Sequence, residues 1–310
     1  MMEQWKGKRV LVTGGTGFIG SFLVERLLDA GAKVRVPIRA ANYRALSERR
    51  DEVEWMEGDL RSNEYCQALV ANMDHVFHLA SHRRNVAYHQ KYCGDVMAEN
   101  VLMTAALIQA LKEWKTTPVT FLSTANVPPT SDVLWLDHAK KIDGYVLGKA
   151  LCETLWFAAA KQRKFPLLIA RPVGVYGPRD TFSEEGNVIP SLMVKARDSE
   201  KNLKVWGSGE QERAFLYVED LITAIFTMIH AGADGMQYIV PQNVITIHDL
   251  AFKIRDLVNP SLDIVFDTTK PEGSRSIAKL PNHLSLDDFS WTSLDEGLKK
   301  TFDWWTHKEE

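Results

Sequence analysis

The chain has 310 residues, 45% hydrophobic and 25% charged, enough to bury a sizeable core in one large or two modest domains. Its formal net charge is only -3 and its lysines and arginines form no dense run, which excludes the electrostatic footprint of a nucleic-acid binder. No apolar stretch approaches the ~20 residues that span a bilayer, MMEQWKGKRVLV lacks the layout of a signal peptide, and the three scattered cysteines suit neither disulfides nor zinc, so a cytoplasmic protein with no metal and no membrane partner is expected.

Residues 8–13, KRVLVT, form a short apolar run read as a strand, which leads through GGTGFIG into SFLVERLLDAG, where the apolar spacing is helical. Gly14, Gly17 and Gly20, with a strand before them and a helix after, point to a dinucleotide site. The missing side chains allow a tight turn, close approach of backbone to a pyrophosphate, and close packing of helix on strand. The helix N-terminus then offers amide donors to the phosphates.

Strand-like KVRVPIR, VEWMEGDL, DHVFHLAS, PVTFLST and FPLLIARPV follow, with helical segments between them. This alternation predicts an α/β fold with a Rossmann-type doubly wound parallel sheet, the dinucleotide-binding domain covering residues 1–173. Arg39 ends the second strand, about where an NAD enzyme carries an acidic residue for the adenosine 2'-hydroxyl. An arginine there suits a 2'-phosphate, so NADP is expected in preference to NAD; Arg44 offers a second positive group, unless both arginines are simply exposed. Asp59 in EGDL reads equally as an acceptor for an adenine amino group and as a polar strand end. His78, His82 and His89, the densest group of histidines, read as a strand end followed by loop residues rather than as ligands.

GYVLGKALCETLWFAAAK carries helical spacing, which puts Tyr145 and Lys149 on one face. A neighbouring ammonium favours phenolate and is expected to bring the hydroxyl towards acid/base service. Alone, that spacing also describes a solvated helix turn. Beyond ARPVGVYGPR the regular alternation stops, and residues 174–310 are expected to form mainly a smaller α/β substrate-binding lobe, with 218–230 returning to the first domain as a helix.

With TGGTGFIG, DHVFHLAS, FLST, YVLGK and ARPVGVYGPR in this order, the chain resembles the extended short-chain dehydrogenase/reductase family from about residue 8 to 307. The resemblance implies a catalytic set of Thr124, Tyr145 and Lys149. Lys149 would bind the nicotinamide ribose, Tyr145 would exchange a proton with the substrate oxygen, and Thr124 would hydrogen-bond that oxygen. Cofactor contacts are expected from Gly14, Thr16, Gly17, Phe18, Ile19, Gly20, Arg39, Asp59, Leu60, Leu79 and Ala80, besides Tyr145 and Lys149. A homodimer is implied too, joined through the helices that bear Asn100 and Tyr145; Asn100 itself is expected to bond neighbouring backbone.

VWGSGEQERAFLYVEDL, DTTKPEGSR and SLDEGLKKTFDWW resemble the nucleotide-sugar branch of that family, closest to the GDP-fucose synthases and related GDP-4-keto-6-deoxyhexose reductases. That likeness assigns Lys195, Arg213 and Arg275 to a nucleotide-sugar substrate. Where fucose synthases carry an epimerising cysteine and histidine, this chain has Asn126 and Asn187, substrate-binding candidates whose amides shuttle no protons at accessible pH. Thr124 is followed by Ala125 and Asn126 instead of the Asp-Glu of dehydratases, and Pro128, Pro129 and Gly174 also depart from the family's sugar pocket. The expected function is NADPH-dependent reduction of a 4-keto deoxyhexose on a nucleoside diphosphate, GDP for preference. An NAD-dependent 4-epimerase and a non-enzymatic, dinucleotide-responsive binding protein are the alternatives.

Overall fold

The computed structural model describes residues 1–40, 43–113, 116–127, 143–184, 186–241, 244–270 and 282–309. The expectations for Pro128, Pro129, Arg275 and the Arg44 side chain lie outside the described residues. The chain divides into two units, the first comprising Met1–Arg171, Ile222–Tyr238 and His283–Leu286, the second Pro172–Leu221, Ile239–Asn282 and Asp287–Glu310.

The first unit is built on β1 (Arg9–Thr13), β2 (Lys33–Ile38), β3 (Val53–Glu57), β4 (His75–His78), β5 (Val119–Leu122) and β6 (Leu167–Pro172). Its helices are α1 (Phe18–Asp29), α2 (Asn63–Val70), α3 (Val86–Lys91), α4 (Cys93–Ala110) and α5 (Gly144–Arg163). The second unit holds β7 (Gly174–Tyr176), α6 (Val188–Asp198), β8 (Asn202–Trp206) and β9 (Glu212–Tyr217). Both units share α7 (Val218–His230) and β10 (Gly235–Ile239), after which β11 (Val244–Thr246), α8 (Ile247–Val258), β12 (Asp263–Asp267) and α9 (Leu294–Glu309) belong to the second.

The strands of the first unit join in the order β10-β6-β5-β4-β1-β2-β3. The pairs from β3 to β6 are all parallel, with Leu11 between Arg35 and Val76, and Phe77 beside Thr120. The order reverses between β1 and β4, the switch point where doubly wound sheets bind ligands at the carboxyl ends of their strands. Continuous apolar runs are buried on both faces, as strands sandwiched between helix layers require. Leu11, Val76, Phe121 and Ile169 pack with Met103 and Leu107 of α4 and Trp156 of α5. Each such side chain contributes about 2 kcal/mol by leaving water.

Two local features aim α5. Asp143 caps it, its Oδ1 accepting from the amides of Tyr145 (2.9 Å) and Val146 (3.2 Å), which fixes Tyr145 in the first turn. Gly148 lets α5 lie close to α4, since a Cβ there would stand 3.3 Å from Met97 Cα. In the second unit β9 pairs antiparallel with β11 and parallel with β7, and β8 pairs parallel with β12. Against this framework α8 buries Ile247, Leu250, Ala251 and Ile254, with Thr246 capping its first turn through Asp249 N (3.0 Å).

Candidate functional site

The turn between β1 and α1 is laid directly on the end of β4. Gly14 has a φ of 73°, and a Cβ there would stand 2.8 Å from Ala80 N. Leu79 N donates to Thr13 O (3.2 Å) and Ala80 N to Thr13 Oγ1 (3.1 Å), so the two strand ends are stitched together. Gly20 sits so close to the Gly14 carbonyl that a Cβ would collide with it. Gly17 is the N-cap of α1 and brings no side chain to the first-turn amides. A side-chain-free cradle at an open helix N-terminus fits the pyrophosphate of a dinucleotide. Thr16, Phe18 and Ile19, partly exposed, line the same turn.

Arg39, exposed just after β2, has its Nη2 4.0 Å from Met103 Sδ. Asp59 does not stand alone: Arg61 donates to it from Nε (2.9 Å to Oδ2), Nη2 (2.5 Å) and the backbone N (2.9 Å). Those hydrogen bonds hold the Asp59 carboxyl down to about 2. Arg61 also donates to Glu99 (2.6 Å), while the intervening Leu60 is buried. The sequence reading missed Arg61, although its position two residues after the candidate acceptor was visible.

At the end of β5, Thr124 is partly buried and its Oγ1 accepts from Asn126 N (3.3 Å); the Asn126 residue is exposed. Lys149, only 3% exposed, donates from Nζ to Leu122 O (2.7 Å) and lies 4.6 Å from the Phe121 ring centroid and 5.8 Å from that of Tyr145. Burial lowers its ammonium to about 8, against the raising influence of Cys152 and Glu153. The Tyr145 ring stacks on His89 with centroids 5.2 Å apart and planes at 21°, and the Arg83 Cζ is 5.8 Å from its centroid. Burial raises the phenol above its ordinary value; Arg83 works against this, whereas Asp143 and Cys152 add to it. The expected lowering of the phenol by its neighbouring ammonium is therefore corrected: burial wins, and Arg83 is the cation that offsets it.

Buried polar groups tie these pieces together. His78 joins Thr13 Oγ1 through Nδ1 (2.8 Å) to Thr104 Oγ1 through Nε2 (3.1 Å), and Thr104 donates to Cys152 Sγ (3.2 Å). Asn100 accepts from Ser81 Oγ and His82 N (both 2.9 Å) and donates to His82 O (3.1 Å) and Val96 O (2.8 Å), the backbone-bonding role expected of it. Ser123 donates to Glu153, which takes Arg171 Nε (2.8 Å) and Nη2 (2.5 Å) in a paired, almost fully buried contact. Glu153 and Arg171 were also missed, though Glu153 stands one turn beyond Lys149, on the same face of α5.

In the second unit, Asn187 heads α6 and its Nδ2 donates to both Asp180 oxygens (3.0 and 3.2 Å). Lys195, half-buried on α6, has Nζ 4.9 Å from the Trp206 ring centroid, with Lys270 at 5.8 Å from the same ring. Burial lowers the Lys195 ammonium and Glu184 raises it. Arg213, half-buried on β9 opposite Ile245, has its guanidinium lowered by burial. Among the described residues no cluster of three or more His, Cys, Asp or Glu side chains stands ready for a metal ion, and no helix is long and apolar enough to cross a membrane.

Known proteins share the sequence pattern and the fold of this chain. The chain is 27% identical to a dTDP-4-dehydro-6-deoxy-D-allose reductase of Streptomyces bikiniensis over 98% of both chains. It is 27% identical to a GDP-L-fucose synthase of Sinorhizobium fredii over 96% of this chain and 95% of the other. A UDP-N-acetyl-alpha-D-glucosaminuronate decarboxylase of Bacillus cytotoxicus shares 30% over 97% of this chain and 99% of its own. Among solved structures, UDP-glucose 4-epimerase from Thermotoga maritima, in complex with UDP-glucose, has a TM-score of 0.83 at 22% identity, covering 97% of this chain and all of the other, a likeness of fold. The model of the NAD dependent epimerase/dehydratase family matches residues 10–240. The chain belongs to that family and is an NAD(P)-dependent oxidoreductase of the extended short-chain dehydrogenase/reductase type.

Proposed function

We propose that the protein is an NADPH-dependent reductase of a 4-keto deoxyhexose carried on a nucleoside diphosphate. The observation that carries this reading is the chemistry around Thr124: Tyr145 and Lys149 share the capped start of α5, while Ala125 and Asn126 bring no second acid or base. Elimination of water needs an added acid and base, and simple carbonyl reduction needs one proton donor. The bound cofactor supplies the hydride. The glycine turn and the α1 N-terminus hold its pyrophosphate, Lys149 holds its ribose, and Arg39 meets the 2'-phosphate. Tyr145 Oη gives its proton to the substrate oxygen while Thr124 Oγ1 hydrogen-bonds it.

Lys195 and Arg213 are assigned to the nucleotide sugar, Arg213 because a half-buried guanidinium suits paired hydrogen bonds to a diphosphate. A homodimer through α4 and α5 belongs to the same reading, since Leu102 and Leu151 on those helices are exposed. The sequence expectation of GDP competes with dTDP, the nucleotide in the name of the Streptomyces relative. The test is consumption of NADPH with dTDP- and GDP-linked 4-keto-6-deoxyhexoses, beside a thermal-shift ranking of the free nucleoside diphosphates. Oxidation of NADPH with either sugar supports reduction. Interconversion of 4-epimers without added cofactor, and no NADPH consumed, sinks it in favour of an epimerase.

A further inference from the structure

Two side chains that the reductive step does not use frame Tyr145. His89, buried on α3, stacks on the phenol ring, and its Nε2 accepts from Arg84 N (2.8 Å) while Nδ1 stands 3.7 Å from Asp143 Oδ1. A ring nitrogen that accepts carries no proton, so the imidazole is neutral and protonated at Nδ1. Arg83 lies in the same short segment between β4 and α3. That segment is fixed at three points: Asn100 holds His82 at both N and O, His89 holds Arg84 N, and Asn85 caps α3 by accepting from Tyr88 N (2.8 Å). The segment so pinned carries the Arg83 guanidinium, whose Cζ lies 5.8 Å from the centroid of the phenol ring.

We propose that Arg83 is a positioning residue for proton transfer that acts through Tyr145, its guanidinium stabilising the phenolate left on Oη while the stacked His89 fixes the ring. The direction of transfer rests on the reductase reading. The Oη–H bond of Tyr145 breaks, an O–H bond forms on the substrate oxygen, the carbonyl carbon takes the hydride of the reduced nicotinamide, and the phenolate regains a proton from solvent. Among the described residues Lys149 is a second cation near the ring, its Nζ also 5.8 Å from the centroid and donating to Leu122 O. Asp143 and Cys152 oppose phenolate and His89 is neutral, whereas Arg83, in the segment between β4 and α3, is among the described residues a charge that favours it.

The test replaces Tyr145 with a ring-fluorinated tyrosine, a stronger acid that titrates within the stable range, in the full chain saturated with oxidised NADP or NAD. Fluorine NMR then follows its ionisation in the parent, Arg83→Gln and Arg83→Lys. Arg83 is exposed, so neither substitution disturbs a core. The expected result is a midpoint raised by about one pH unit in Arg83→Gln and restored in Arg83→Lys. An unmoved midpoint in Arg83→Gln overturns the proposal, and so does an equal shift in both variants, because charge is then not the agent. No substrate is needed. Failure to reduce any 4-keto nucleotide sugar therefore sinks only the reductase reading, and an unmoved midpoint in an active enzyme sinks only this one.

Discussion

In the first unit the candidate cradle for the cofactor pyrophosphate is main chain. Gly14 lies against Ala80, Gly20 against the Gly14 carbonyl, and the amides of α1 open from a capping residue without a side chain. In the second unit the candidates are side chains, Asn187 and Lys195 at the two ends of α6 and Arg213 on β9, engaged locally with Asp180, Trp206 and the β9 backbone. Backbone recognition admits few residue types, because only glycine tolerates both the left-handed turn and the close approach. Side-chain recognition admits many, since any donor that reaches the ligand will serve. The first kind of site therefore leaves a pattern in the sequence and the second leaves only candidates.

The sharpest test of that contrast separates chemistry from binding inside the first unit. Tyr145→Phe should lower turnover by roughly 10²- to 10⁴-fold, the range for losing a positioned acid, while cofactor affinity moves less than about twofold. Steady-state rates and a cofactor fluorescence titration measure the two. A parallel fall in both would mean that Tyr145 holds the cofactor instead of delivering the proton.

Next in size is Glu153→Gln. Arg171 is 1% exposed and keeps its charge, so removing the carboxylate leaves a buried cation without its partner. Urea unfolding should show a loss of about 3–5 kcal/mol. A loss below about 1 kcal/mol would mean that water reaches the pair and that α5 is anchored by packing alone.

Acid should then weaken the first unit selectively. His75 and His78, buried on β4, have been lowered by burial from 6.5 to about 3. Between those values the unfolded chain binds protons that the folded one refuses, so stability rises with pH across the window and is lost as pH falls below 6.5. At about pH 5 each histidine accounts for ~2 kcal/mol. Hydrogen exchange at falling pH should open β1, β4 and β5 before β9 and β11; the reverse order would rule these two histidines out as the cause.

How much was legible follows the same division. KRVLVT, DHVFHLAS and PVTFLST were readable as buried strands because their apolar runs leave no polar face for solvent. The pairing of Tyr145 with Lys149 was readable from helical spacing. The influence of Arg83 and His89 on Tyr145 was not, since it joins residues far apart in sequence through a segment with no periodicity. The direction of the Tyr145 shift was misjudged for a related reason: spacing reports a neighbouring charge but not desolvation, and burial outweighed the cation. Asp59 read equally as an adenine acceptor and as a polar strand end because nothing in EGDL reveals that Arg61 folds back onto it.

The smallest expected effect falls on the second unit. Arg213 is half-buried on β9, and burial already disfavours its charge, so an anion beside it would gain a charge-assisted bond that water does not match. Such a bond is worth about 1.5–3 kcal/mol, which sets a rise in KM of at least about tenfold for Arg213→Gln. If the guanidinium grips the diphosphate equally before and during the reaction, kcat should stay within about threefold, since uniform binding is lost from KM alone. Stability should change by no more than about 0.5 kcal/mol. The ratio of activity on dTDP- and GDP-linked substrates should also hold, because the two share the diphosphate and differ only in the base. A changed ratio would move Arg213 from the diphosphate to the base, and a fall in kcat at constant KM would make it part of the transition-state machinery.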